Sequence, residues 1–197
     1  MGLVDRVKNI LLNPRQEWGV IDSEAATPAG LYTGYILPLA AIGPICTAIG
    51  YSVFGISLPF VGTWRTPIGS AITSAVVTYG LTLVGVFVMS LIIDNLAPTF
   101  GGTRSSIQAL KVASYSYTAA WVAGIFALIP GLRMLGILGA YSLYLLYLGL
   151  PVLMKSPAEK ALGYTAVVIV VAIVLGFIVA MVAGRFIGGP AMGGLTP

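Results

Sequence analysis

Five runs of apolar residues, each close to or beyond the length that crosses a bilayer, take up more than half of this 197-residue chain. They cover residues 31–53, 68–96, 113–129, 135–154 and 164–183. A helix needs about 20 mostly apolar residues to cover about 30 Å of hydrocarbon, and only the third run is at the short end. Inside lipid a free backbone N–H or C=O finds no water, so such a segment closes its hydrogen bonds within itself. The fold class predicted is therefore all-α integral membrane. The expected architecture is a bundle of five transmembrane helices with an N-terminal amphipathic interfacial helix. Residues 1–28 are read as a cytoplasmic amphipathic helix and linker, 29–187 as the membrane domain and 188–197 as a flexible Gly/Pro-rich tail.

The composition agrees. Charged residues make up 8% of the chain, against about 25% in soluble domains. The net charge is +4, but the basic residues are scattered between the apolar runs. That pattern points to orientation and contact with anionic lipid headgroups rather than to nucleic acid. There is no histidine, and Cys46 is the only cysteine. A Cys/His zinc site and an intrachain disulfide are thereby excluded, and Cys46 is read as a small packing residue. No HExxH, GxSxG or GxxxxGK[ST] pattern occurs, and no pair of carboxylates falls within a span. The reading is of a protein without catalysis or cofactor. Asp5, Glu17, Asp22 and Glu24 precede the first apolar run, so no cleavable signal peptide is expected.

Residues 2–13 predict a short amphipathic helix, with Leu3, Val7, Ile10 and Leu11 on one face and Asp5, Arg6, Lys8 and Asn9 on the other. Pro14 should stop it. The helix is expected in the membrane surface, or packed on the cytoplasmic ends of the bundle, with Trp18 as an interfacial anchor. Pro38 and Pro44 should kink or break the first span. Gly80 and Gly85 in the second span suit close helix approach. Asp94 lies at the end of that span, Gly101-Gly102 suits a tight turn, and Ser105 or Ser106 suits a helix cap. Pro157 suits the opening of the last helix.

Orientation follows from the basic residues. With a cytoplasmic N-terminus, Arg6, Lys8, Arg15, Arg104, Lys111, Lys155 and Lys160 lie inside, and Arg65, Arg133 and Arg185 outside. Seven against three satisfies the positive-inside rule at every loop. Five spans then place the C-terminus outside, and helical spans direct the chain to a cytoplasmic membrane rather than to an outer-membrane barrel.

Two functional readings follow. In the first, the protein associates with itself, with lipids or with another membrane protein, with Arg6, Lys8, Trp18, Arg104 and Lys111 as its lipid or partner surface. The four-residue spacings Gly30/Gly34 and Gly184/Gly188 suit intrachain packing or a homo-oligomer seam. In the second, a small transporter or channel uses a polar path near Pro38, Pro44, Asp94, Tyr141, Tyr144 and Tyr147, with Tyr115 and Tyr117 beside it. Asp94 carries a structural or a proton- or ligand-coupled role. The lack of paired halves argues against a transporter built from repeats.

Several segments carry a family likeness. They are Arg6 to Pro14 (RVKNILLNP) with Trp18, Gly101 to Val112 (GGTRSSIQALKV) with Tyr115, and Tyr144 to Leu150 (YLLYLGL) with Lys160-Ala161. On these residues the chain resembles the bacterial branch of the Yip family, the Ypt-interacting membrane proteins, over most of its length. The resemblance implies five spans with a cytoplasmic N-terminus. Eukaryotic members carry a longer cytosolic N-terminal region and an aspartate-leucine-tyrosine-glycine-proline stretch that this chain lacks, so partnership with a Rab-type GTPase does not carry over. The resemblance supplies no biochemical activity.

Overall fold

The computed structural model describes residues 2–58 and 62–185. Helices α1 (Leu3–Leu12) and α2 (Pro14–Ser23) form a hairpin over one end of the bundle. Pro14 does end α1, but it also opens α2, because a proline at the first helical position loses an N–H that would have no partner there. Residues 14–23, read from sequence as linker, are therefore helical.

Helix α3 (Pro28–Phe54) is the first membrane-length helix. Thr27 caps it through its hydroxyl, which accepts from Gly30 N at 3.1 Å. The two prolines disturb it as expected: the helix widens into a π-turn over Tyr32–Ile36 and is interrupted at Ala41. The Leu37 carbonyl accepts from the Tyr79 hydroxyl at 3.1 Å, so a neighbouring helix supplies a donor at the break. Beyond it a two-stranded hairpin, β1 (Ile56–Leu58) and β2 (Gly62–Trp64), leads to α4 (Ile68–Leu96). A 3₁₀ turn and Gly101, at φ 72°, end that helix.

The third predicted span, 113–129, is not one long helix. Among the described residues, four helices are long and apolar enough to cross a membrane: Pro28–Phe54, Ile68–Phe100, Pro130–Leu153 and Ala158–Gly184. Residues 106–128 are instead broken at Tyr117 into α5 (Ser106–Ser116), α6 (Thr118–Ala123) and a 3₁₀ stretch. Hydroxyls bond the backbone around the break: Thr118 Oγ1 donates to the Tyr115 carbonyl at 2.7 Å and Ser114 Oγ to the Leu110 carbonyl at 2.8 Å. This segment still runs from one end of the bundle to the other. Thr103 N donates to the Met154 carbonyl at 2.8 Å at one end, while the carbonyls of Ala127 and Leu128 press on Gly50 at the other. The remaining helices are α7 (Tyr141–Leu153), which continues a 3₁₀ run from Pro130, and α8 (Ala158–Gly184), with Pro157 at its cap. The expected flexible tail, 188–197, lies outside the described residues, as does Gly188 of the second glycine pair.

Side chains are distributed as a lipid solvent demands. Ile173 and Phe177 of α8 are each 65% exposed, while Trp18, Ile93, Leu145 and Tyr164 are fully buried. The glycines that mediate close approach are not the predicted ones. A Cβ on Gly34, Gly80 or Gly85 would meet nothing within 4 Å, and one on Gly30 only the capping Thr27 hydroxyl. A Cβ on Gly124 would lie 2.8 Å from the Gly43 Cα, and one on Gly149 2.6 Å from the Trp18 ring.

Candidate functional site

Two assemblies gather the polar side chains: a charged network at the hairpin end, and a hydroxyl-lined cleft at the opposite end. The network begins with Arg6, whose guanidinium pairs with both Glu17 and Glu24. It is buried and lies 5.7 Å from the centre of the Tyr115 ring, which meets Trp18 and Tyr35 edge-on. Burial pulls the Arg6 pKa down, but the Glu24 hydrogen bond and the charges of Glu24 and Glu17 leave it raised. Lys111 donates to the carbonyls of Ile21 at 2.8 Å and Glu24 at 2.6 Å, where the end of α2 leaves acceptors free. Burial pushes the Lys111 pKa down, against the pull of Asp22 and Glu24. Asp22 also accepts from Gln108 at 3.1 Å and pairs with Lys155. These bonds staple the α1–α2 hairpin to α5 and to the loop after α7.

The five residues read as a lipid or partner surface are thus divided. Arg6, Trp18 and Lys111 are buried in the hairpin contact, at 5%, 0% and 3% exposure. Lys8 and Arg104 are exposed. Arg6 left the polar face because two glutamates bring their charge inside to meet it. Trp18 left the membrane interface because Gly149 offers its ring a flat place on α7.

The polar-path residues are divided as well. Asp94 accepts the Ser105 N–H at 2.7 Å and lies 3.8 Å from Arg104. Its carboxylate, rather than either serine hydroxyl, therefore serves the start of α5. Tyr141, Tyr144 and Tyr147 sit on the exposed face of α7, and the Tyr141 hydroxyl donates to the Leu11 carbonyl at 3.1 Å. Pro38 is exposed. Pro44 lines the cleft at the opposite end, and Tyr117 lines it too. Asp94→Ala should accordingly cost about 1 kcal/mol of stability, the usual worth of a lost helix cap. Thermal melting in detergent checks it, and a loss several times larger would oppose the capping role.

The cleft has a volume of about 400 Å³ and lies between the kinked α3, α4 and α6. Thr47, Thr66, Ser74, Thr78 and Thr82 bring hydroxyls to it, Tyr51, Tyr117 and Trp121 bring rings, and Ala71 and Ala75 leave it room. From Ala71 to Thr82 it follows α4 for about 16 Å. Among the described residues, the hydroxyls of Thr47, Thr66, Ser74 and Thr78 have no hydrogen-bond partner. Thr66 is only 3% exposed, so its bare hydroxyl is a buried cost of about 1–3 kcal/mol unless something meets it. Among the described residues, no charged side chain lines the cleft, and Asp94 does not reach it. Ser74, Thr78 and Thr82 repeat every four residues on one face of the second span, a spacing that was legible in the sequence but not singled out there.

Residues 8–181 match the Yip1 domain family. This chain belongs to the Yip family. It is 29% identical over 167 residues to the inner membrane protein YohC of Escherichia coli strain K12, covering 83% of this chain and 86% of YohC. The same figures hold for the YohC of E. coli O6:H1 strain CFT073. No solved structure matches. With four membrane-length helices, this Yip-family chain is an integral membrane protein whose bacterial relatives are named for the inner membrane.

Proposed function

We propose that this protein is a non-enzymatic inner-membrane protein that works by association, binding a membrane-borne amphiphile in the cleft between its first two spans. The carrying observation is the row of unpartnered hydroxyls ending at buried Thr66, in an otherwise apolar cleft within the 300–1,000 Å³ range usual for ligand sites. An amphiphile supplies acceptors for the hydroxyls and apolar bulk for the alanines and rings. Residues 113–129 complete five crossings, with the N-terminus cytoplasmic and the C-terminus outside. On this reading the hairpin network seals the cytoplasmic end. Lys8 and Arg104 face anionic headgroups, and the outward face of α8 meets lipid, a second copy or another membrane protein.

The transporter reading draws on Pro44 in the cleft wall and on the kink of α3. It receives less support, because Asp94 is engaged as a helix cap and the three α7 tyrosines face outward.

Native mass spectrometry of protein released from nanodiscs tests the proposal. The wild type should retain a lipid that Ala75→Phe, which places a ring in the cleft, no longer holds. Equal retention by both would overturn the assignment.

A further inference from the structure

We propose that Arg133 is the anion-recognition residue of the cleft, so that the bound amphiphile is a lipid with a net-anionic, phosphate-bearing headgroup. This rests on the amphiphile reading above and names its ligand class.

The first observation is a charge imbalance between the two ends of the bundle. The chain has six carboxylate residues, Asp5, Glu17, Asp22, Glu24, Asp94 and Glu159. All six lie in or beside the hairpin end: in α1 and α2, at the end of α4, or in the first turn of α8, next to the Pro157 that packs on Gly101. The cleft lies toward the other end, where Arg65 is exposed and Arg133 sits in the 3₁₀ run Pro130–Ala140. Among the described residues, no Asp or Glu is there to neutralise them.

The second observation is the state of the Arg133 side chain. Its guanidinium stacks over the Tyr51 ring, 4.1 Å from the ring centre. Stacking holds the planar fork in place and covers a face but satisfies no N–H. Its Nη2 is buried and has no hydrogen-bond partner among the described residues. An oriented guanidinium with an unused buried donor and no acid nearby is chemistry for an outside oxyanion. Phosphate oxygens match the fork in bidentate fashion.

The third observation is continuity. Tyr51, on which Arg133 stacks, is a wall of the cleft. Arg133 also borders a second groove of about 330 Å³, walled by small residues such as Ala123, Gly124 and Gly136, and Ala120 belongs to both spaces. A headgroup at Arg133 therefore has two adjoining spaces for the body of one lipid. The hydrophobic runs end near this level, where a bilayer presents its phosphates. A zwitterionic headgroup would bring an ammonium toward Arg133 and Arg65, whereas a net-anionic one would not. The local charge thus selects the anionic class.

The test uses the full chain in nanodiscs made of equal parts phosphatidylglycerol and phosphatidylcholine, read by native mass spectrometry of the lipids retained on release. Wild type should retain phosphatidylglycerol in preference to phosphatidylcholine. Arg133→Gln should still retain lipid but lower that preference about tenfold, the scale of a lost charge-assisted hydrogen bond. Arg133→Lys, which keeps the charge but not the fork, should fall between. Equal melting temperatures establish that the variants are folded, and the lysine variant alone decides if the glutamine variant is not. An unchanged preference in the folded variants overturns the role of Arg133 and leaves the amphiphile site standing. Retention of no lipid by the wild type removes the site and this role with it. Displacement of the retained lipid by inorganic phosphate would make the site one for a free anion and overturn the lipid assignment.

Discussion

Replacing Arg6 by methionine is expected to destabilise the folded protein by about 3–5 kcal/mol, the cost of leaving one member of a buried ion pair without its partner. Glu17 is the member left behind. Its side chain is 6% exposed, and its described polar partner is Arg6. Glu24 would suffer less, because its side chain is 40% exposed and can turn to water. The two carboxylates therefore separate the effect. Arg6→Met combined with Glu17→Leu should recover most of the loss, since an apolar replacement of a whole buried pair is often neutral or stabilising. Arg6→Lys should recover little, because one ammonium cannot reproduce a fork that reaches two glutamates. Thermal melting in detergent and protease cleavage within residues 13–27 are the measurements. A single Arg6→Met variant that melts with the wild type would show that the network does not hold the hairpin down.

Gly124→Leu is the second large effect expected, a loss of about 1–3 kcal/mol or more from overpacking. A Cβ at position 124 would lie 2.8 Å from the Gly43 Cα and 3.1 Å from its nitrogen. Both are backbone atoms, so relief requires α3 to move as a body. Gly50, where a Cβ would stand 2.4 Å from the Ala127 carbonyl oxygen, reports the same contact from the other side. In lipid the hydrophobic effect gives helices little reason to associate, so close packing and hydrogen bonding decide their contacts. Gly80→Ala is the control. A Cβ there meets nothing within 4 Å, so it should be neutral or slightly stabilising through a stiffer unfolded chain. Melting temperatures in one detergent check the pair. If Gly80→Ala proved the more damaging, the close seam would lie on α4 rather than between α3 and the 124–128 stretch.

The contrast between those glycines shows how far a sequence reads. Spacing identifies small residues on one helix face but not which face meets another helix, because the partner comes from a distant part of the chain. Arg6 makes the same point. Its place opposite Leu3, Val7 and Ile10 puts it on a polar face, and only Glu17 and Glu24, eleven and eighteen residues away, bring it inside. The apolar run 113–129 did not foretell the break of its helix at Tyr117. Ser114 and Thr118 donate their hydroxyls to nearby carbonyls, and the hydropathy of the run hides those bonds. Arg133 counted in the sequence only as a charge for orientation. Its orphaned nitrogen and its stack on Tyr51, 82 positions earlier, exist only in the folded bundle.

The order of the polypeptide alone determined that hydrocarbon is the solvent, where the long apolar helices run, that the first span is interrupted near Pro38 and Pro44, and which family the chain resembles. These are local quantities, set by transfer free energy over about 20 residues, by ring geometry and by short motifs. Tertiary structure decided which charges are neutralised, which glycines touch and where unpartnered hydroxyls enclose a space. Each of those depends on atoms from segments far apart in sequence, and the free energy of a buried polar group is set by what stands beside it rather than by what precedes it.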